Sequence, residues 1–196
     1  MCKLTRNYRC SLEVVRVANA VIAKGRRYRK RLKANLGRSG PVQLMQLSDE
    51  RAEAQFVAMA IAALPGKSNL TDIAVLVRVN SQADEMKHHF RSCGIPVDSS
   101  NNGVNVLTLH AAKGLEFPVV FLPGMEEDSL PNWNAVQAGQ SAIEEERRLF
   151  YVGVTRAKQQ LTMTYCNRRR RHARQPSRFL KGLRWRRLVR YVNIES

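Results

Sequence analysis

One eight-residue stretch, DIAVLVRV at 72–79, limits the fold more than any other part of this 196-residue chain. A strand with one wet face alternates apolar and polar residues. This one is nearly continuously apolar and rich in β-branched side chains. Such a run reads as a strand buried on both faces, which places it inside a parallel sheet with covering layers above and below.

The rest of the chain supplies those layers. Behind Ser11, an expected N-cap, Val14, Val15, Ala18, Val21 and Ile22 recur at helical spacing, and Gly25 ends the helix. A basic connector at 26–38 leads to an expected strand at 42–47. Ser48 is then a plausible cap, with Asp49 and Glu50 in the first turn of a helix running to about 64. A helix over 81–93 stops at Gly94, and strands follow at 104–109 and 117–122, joined by the loop 110–116. A helix over 143–158 opens on Glu144, Glu145 and Glu146, whose charges suit a helix N-terminus, and the last strand covers 160–165. Buried strands alternating with helices of 10–16 residues predict an α/β fold, a mostly parallel sheet with helices on both faces.

Charge is distributed unevenly along this frame. The formal net charge is +17. Residues 1–38 carry twelve basic and one acidic side chains, residues 39–146 carry six and fourteen, and residues 147–196 carry fifteen and one. The two ends are therefore basic and the middle acidic. The ends either meet on one surface or stand as separate solvated segments, and polyanions, nucleic acid first, are the expected partners. The longest apolar run, 119–123, is far too short to span a membrane, and the N-terminus has no secretory h-region. Cys2, Cys10, Cys93 and Cys166 form no C-x-x-C pair, which argues against a zinc site or a disulfide scaffold and points to the cytoplasm.

A self-sufficient catalytic site is not visible. Gly66-Lys67-Ser68 imitates the end of a P-loop, but Ile61 stands where the first glycine belongs, and the triplet leads from a helix into a strand. Asp49-Glu50 after a strand imitates a Mg²⁺ site, although capping of the next helix explains it better. His88 and His89 fall in mid-helix and His172 in the basic C-terminal segment; only His110 sits at a strand end, where parallel sheets bind ligands.

Three segments stand out together: LTRNYRC at 4–10, VLTLHAAKGLEF at 106–117 and EEERRLFYVGVTRAK at 144–158. In this order they resemble motifs IV, V and VI of the UvrD/Rep/PcrA group of superfamily 1 DNA helicases. The segment 72–97 is similar to that group's motif IVa region, and PSRFL at 176–180 to its closing segment. The resemblance implies a RecA-like three-layer domain over 1–167 and a basic tail over 168–196. The resemblance is to the second of two motor domains that, in that family, sandwich ATP. The first domain, with the P-loop, the Mg²⁺-binding acidic pair and the adenine-reading glutamine, is not in this sequence.

The resemblance also assigns roles. Arg9 and Arg156 would contact the γ-phosphate of ATP as arginines supplied in cis, and Glu116 would lie near the nucleotide's sugar. Thr108, His110, Lys113 and Gly114 match the part of motif V that faces single-stranded DNA. Tyr8 and Tyr151 match aromatic positions expected to pack rather than stack on bases. The implied enzyme is an ATP-dependent 3′-to-5′ DNA helicase that uses Mg²⁺ and needs a P-loop domain in cis or in trans. The isolated chain is expected to be unable to hydrolyse ATP.

One departure is large. Family members carry a helical insertion between the motif IVa region and motif V, and here only residues 98–103 separate the two. Two rival readings stand beside the helicase: a non-enzymatic nucleic-acid-binding or interaction module that kept the fold, and a membrane-surface contact through 185–192. The run Arg168–Arg169–Arg170–Arg171 is read either as a phosphate-binding segment or as part of a solvated tail.

Overall fold

The computed structural model describes residues 6–23, 32–37, 39–64, 69–97, 102–183 and 189–193. In chain order the elements are β1 (Arg6–Asn7), α1 (Leu12–Ile22), β2 (Lys33–Ala34), β3 (Val42–Leu47), α2 (Glu50–Ala62), β4 (Ile73–Val77), α3 (Asn80–Ser92), β5 (Asn105–Thr108) and β6 (Phe117–Leu122). There follow α4 (Trp133–Ala138), α5 (Gln140–Val154), β7 (Ala157–Cys166), β8 (Arg168–Arg169), β9 (His172–Ala173) and β10 (Val189–Asn193). Six strands form one sheet in the order β10-β3-β7-β6-β4-β5, and every neighbouring pair in it is parallel.

The expectation for 72–79 holds at the level of single side chains. Every residue of β4 is at most 1% exposed. Ala74 and Leu76 join a core with α1 and α5, while Ile73, Val75 and Val77 join a second core with α2 and α3. β6 divides in the same way, Val120 and Leu122 to one side and Val119 and Phe121 to the other. Side chains alternate across a strand, so a strand covered on both faces has no position left for a polar residue.

Several boundaries differ from the sequence reading, each for a visible reason. Asp49, not Ser48, caps α2, because its carboxylate accepts from the backbone N–H groups of Arg51 and Ala52. Ser11 stands at the N-cap of α1 without a side-chain cap bond; its own N–H donates to the Lys158 carbonyl at 2.7 Å, tying α1 to β7. The helix expected to open at Ile143 begins at Gln140, after the short α4 and Gly139 at φ +94°. The three glutamates therefore lie inside α5 and not at its N-terminus. Glu146 is buried and binds Arg78 through both carboxylate oxygens, at 2.7 to 3.1 Å.

The sequence reading set 168–196 apart as a tail. In the structure β8 and β9 form an antiparallel hairpin, Phe179, Leu180 and Leu183 are buried in the α1–α5 core, and β10 pairs with β3. Arg169 in the four-arginine run is neither a phosphate ligand nor solvated. Its guanidinium is buried between Glu53 and Glu126. Of the stretch considered for membrane contact, β10 is a sheet strand, and residues 184–188, with Trp185, lie outside the described residues, as do residues 65–68 with the Gly66-Lys67-Ser68 triplet and most of the basic connector. Among the described residues no helix is long and apolar enough to cross a membrane.

Candidate nucleotide and nucleic-acid interface

Because the sheet is parallel, each strand presents its first residues at one edge and its last at the other. The segment 109–116 joins the end of β5 to the start of β6 and passes β4, which lies between them. Thr108 pairs level with Val77, whereas Phe117 lies two residues before Val119, the partner of Ile73. That offset is about six strand residues, or ~20 Å. Eight residues with no regular helix make a crossover that commonly takes a dozen or more. Leu109 and Ala112 are buried and pin the segment to the α1–α5 core. One short piece of chain therefore links the two edges of the sheet.

At the amino edge the structure brings Arg9 together with Glu116 and Arg156, each more than a hundred residues further along the chain. The Asn7 side-chain carbonyl accepts from the N–H groups of Arg9 and Cys10, both at 2.8 Å, which fixes the turn that presents Arg9. Glu116 shares its two oxygens: Arg9 Nε lies 2.5 Å from one and Lys158 Nζ 2.8 Å from the other. The Lys158 ammonium, and after it the Arg9 guanidinium, hold the Glu116 carboxyl below its ordinary range. Lys158 was not singled out by sequence reasoning. The only signal was its place at the end of the segment 144–158, two residues after Arg156.

Arg156 is more enclosed than expected of a phosphate-gripping arginine. It is 8% exposed. Its Nη1 donates to the Leu115 carbonyl at 2.6 Å and its Nε to the Val152 carbonyl at 3.1 Å. Burial, and then the Arg9 charge, push its pKa down. A guanidinium has five N–H groups, so these bonds fix its plane without exhausting its donors. Around this edge Tyr151 packs partly buried against the core, as expected, while Tyr8 does not pack: it is 61% exposed beside Arg9.

The motif V residues divide between edges. Thr108 ends β5 at the carboxyl edge, where its hydroxyl accepts from the Ala111 N–H at 3.2 Å. His110, Lys113 and Gly114 are exposed along the crossover, with Gly114 at φ +94°, a conformation that favours glycine. These four residues do not join the Arg9–Glu116–Arg156 group; they are connected to it through the chain itself.

The carboxyl edge holds two polar centres the sequence did not reveal. The Arg169 Nη2 lies 2.5 Å from Glu53 and its Nε 2.8 Å from Glu126, with both carboxylates fully buried. Glu53 also accepts from Gly124 N–H and the Thr164 hydroxyl, and Glu126 from Cys166 N–H. Burial, and then the Glu53 charge, raise the Glu126 carboxyl. Glu53, Glu126 and Cys166 are also the one three-ligand metal group among the described residues, and the guanidinium occupies it. The second centre joins Arg78 to Glu146, which also accepts from Asn132 N–H.

The model of the UvrD-like helicase C-terminal domain matches residues 2–102 and 97–168. The chain belongs to the UvrD-like helicase C-terminal domain family. The two matched segments meet at 97–102, where the sequence lacks the helical insertion expected of the UvrD/Rep/PcrA group. DNA helicase II of Escherichia coli is 51% identical over 90 residues, 44% of this chain and 12% of that protein. A probable DNA helicase II homologue of Rickettsia conorii is 36% identical over 143 residues, 71% of this chain and 20% of that protein. The chain thus spans a fifth or less of these curated relatives. The crystal structure of the C-terminal domain of a possible DNA helicase from Lactobacillus plantarum superposes with TM-score 0.69 at 16% identity, covering 94% of this chain and 98% of that one. At that identity the likeness concerns the fold.

Proposed function

We propose that this UvrD-like domain is the C-terminal motor domain of an ATP-dependent 3′-to-5′ DNA helicase, working with a P-loop domain supplied in cis or in trans. The observation that carries the reading is the meeting of Arg9 and Lys158 on the Glu116 carboxylate, with Arg156 bound to the neighbouring Leu115 carbonyl, at the end of a crossover that begins at Thr108 and His110. Two cations on Glu116 and a third beside it leave this edge positive, and a charged arginine pair suits phosphate oxygens. The donor set fits a triphosphate but not its metal. The three-ligand group among the described residues is taken by Arg169 at the opposite edge, so Mg²⁺ would be held by the P-loop domain.

ATP with Mg²⁺, when bound between the two domains, supplies the phosphoryl group whose hydrolysis drives movement. Arg9 and Arg156 hold positive charge where phosphate oxygens would lie, and the Val152 and Leu115 carbonyls orient Arg156 before any ligand arrives. Glu116 balances Arg9, and Lys158 keeps that carboxylate at the edge. Since Leu115 and Glu116 end the crossover, a shift at this edge displaces the segment that carries His110 and Lys113, the residues assigned to one DNA strand. The exposed Tyr8 ring beside Arg9 is placed to cover a base rather than to fill a core.

The test is reconstitution. Neither this chain nor a separately expressed P-loop domain should turn over ATP alone, and the mixture should show DNA-stimulated hydrolysis that Arg156→Ala abolishes. DNA-stimulated turnover by the pure chain, lost on Arg156→Ala, would overturn the reading, because it demands a complete site in one domain. One observation favours the non-enzymatic module instead: Arg9 and Arg156 are both bound to the protein's own oxygens. A mixture with no ATPase that still binds single-stranded DNA supports that alternative.

A further inference from the structure

Trp133 is the only tryptophan among the described residues, and it stands 56% exposed at the first position of α4. A large apolar ring left in water contributes little to the core, so its neighbours indicate what it faces. Its backbone is held firmly. Trp133 N–H donates to the Asp128 carbonyl at 3.2 Å, the Asn132 side chain accepts from Asn134 N–H at 2.9 Å, and Asn132 N–H donates to Glu146 at 3.0 Å. The ring is thus mounted on a fixed pedestal rather than on a free loop tip, and a preorganised aromatic binds with little ordering cost.

The surroundings are polar. Directly beside Asn132 lies a pocket of about 140 Å³ whose walls include Ser81, Gln82 and Ser129 and the ion pairs Arg170–Glu85 and Arg174–Asp128, at 3.0 and 2.9 Å. The other exposed large apolar side chains among the described residues sit elsewhere: Tyr8, Leu36 and Leu115 near Arg9, and Met59 on α2. An apolar protein partner would need a contiguous apolar patch, which Trp133 does not have around it. An isolated aromatic plane among hydrogen-bonding side chains suits the stacking of a nucleobase, whose own edge is polar.

Leu109 N–H donates to the Val77 carbonyl, Arg78 follows Val77 and is bound by Glu146, and Glu146 accepts from Asn132, the residue before Trp133. A chain of direct bonds therefore runs along the carboxyl edge from Thr108 and His110 to Trp133. We propose that Trp133 is a stacking platform for one base of single-stranded DNA, extending past Arg78 the strand path that begins at Thr108 and His110. The proposal rests on the reading of those two residues as DNA-facing.

Trp133 and Trp185 are the chain's two tryptophans, so Trp185→Phe leaves Trp133 as the only reporter. Titration of that variant with a short oligothymidine at low salt should quench its fluorescence. Trp133→Ala should weaken oligothymidine binding by roughly 5- to 150-fold, the range for losing one stacked base, and Trp133→Phe should retain most of the affinity. The slope of affinity against salt should stay as in the unsubstituted chain, because the ring is neutral. Circular dichroism and the urea midpoint establish that each variant is folded. Binding by Trp133→Ala equal to that of the original chain overturns the stacking role and leaves the DNA reading standing. Absence of oligothymidine binding by the original chain overturns that reading and the proposal with it.

Discussion

Replacing Arg169 should be the most damaging single change at the carboxyl edge, and its cost should depend on pH in a defined direction. The guanidinium makes three bonds of 2.5 to 3.0 Å to Glu53 and Glu126, whose carboxylates are fully buried. Removing one partner of a buried ion pair costs about 3–5 kcal/mol, because the other charge stays buried without compensation. Arg169→Met keeps much of the apolar stem and removes the charge together with its N–H donors. At neutral pH it should lower unfolding free energy by that amount, a large share of the ~5–15 kcal/mol typical of a domain.

The pH dependence follows from Glu126. Burial and the Glu53 charge raise its pKa, and Arg169 is what opposes them. Without Arg169 the folded-state pKa moves further above the unfolded value. A carboxyl raised in the folded state costs nothing below its unfolded pKa. It then lowers stability by about 1.4 kcal/mol per pH unit until the folded pKa is reached. Between pH 5 and pH 7 the penalty of Arg169→Met should thus grow by up to ~3 kcal/mol. Urea unfolding followed by circular dichroism at both pH values measures this, and the double variant Arg169→Met with Glu126→Gln should lose most of the pH dependence. A penalty below about 1 kcal/mol, or one equal at the two pH values, refutes the account of a guanidinium holding two buried carboxylates.

Further outcomes are expected elsewhere. Glu146→Gln weakens the bidentate hold on Arg78; because Arg78 is partly exposed, urea unfolding should show a loss of about 3 kcal/mol or less, at or below the lower end for buried pairs. A Cβ at Gly153 would lie 2.5 Å from Leu109 Cδ2 and 3.3 Å from Leu122 Cδ2, so Gly153→Ala should cost about 1–3 kcal/mol by overpacking. Leu109→Ala combined with it should be less harmful than the two single losses summed, as a double-mutant cycle would read. Lys158→Ala removes the largest cause of the low Glu116 pKa, so a carboxyl titration by NMR should show Glu116 moving up. In the unsubstituted chain that lowered pKa stabilises the fold above the ordinary carboxylate range and the effect is lost as pH falls through it. The pair is more than one-third exposed, so the associated stability change should stay below about 1 kcal/mol.

Local sequence determined the layers. A five-residue strand without one polar side chain can only lie inside a sheet covered on both faces, and β4 does. β3 and β6 coincide with the stretches read as strands, because apolar period and breakers are properties of neighbouring residues. The three motifs likewise marked Arg9, Glu116 and Arg156 before any geometry was known, and the structure brings those three together. What the sequence left open is which charges meet across long separations. Arg169 looks identical in sequence to its three arginine neighbours, yet it alone is buried, because α2 and the loop after β6 deliver two carboxylates to it. Glu146 reads as a helix-start charge until the helix is seen to begin six residues earlier and to face Arg78. Trp133 carries no local signature at all, and Lys158 only its place at the end of the segment 144–158. Periodicity reports which side of an element is apolar; the identity of a polar group's partner, and therefore its charge, exposure and role, is set only when the parallel sheet aligns the ends of distant strands.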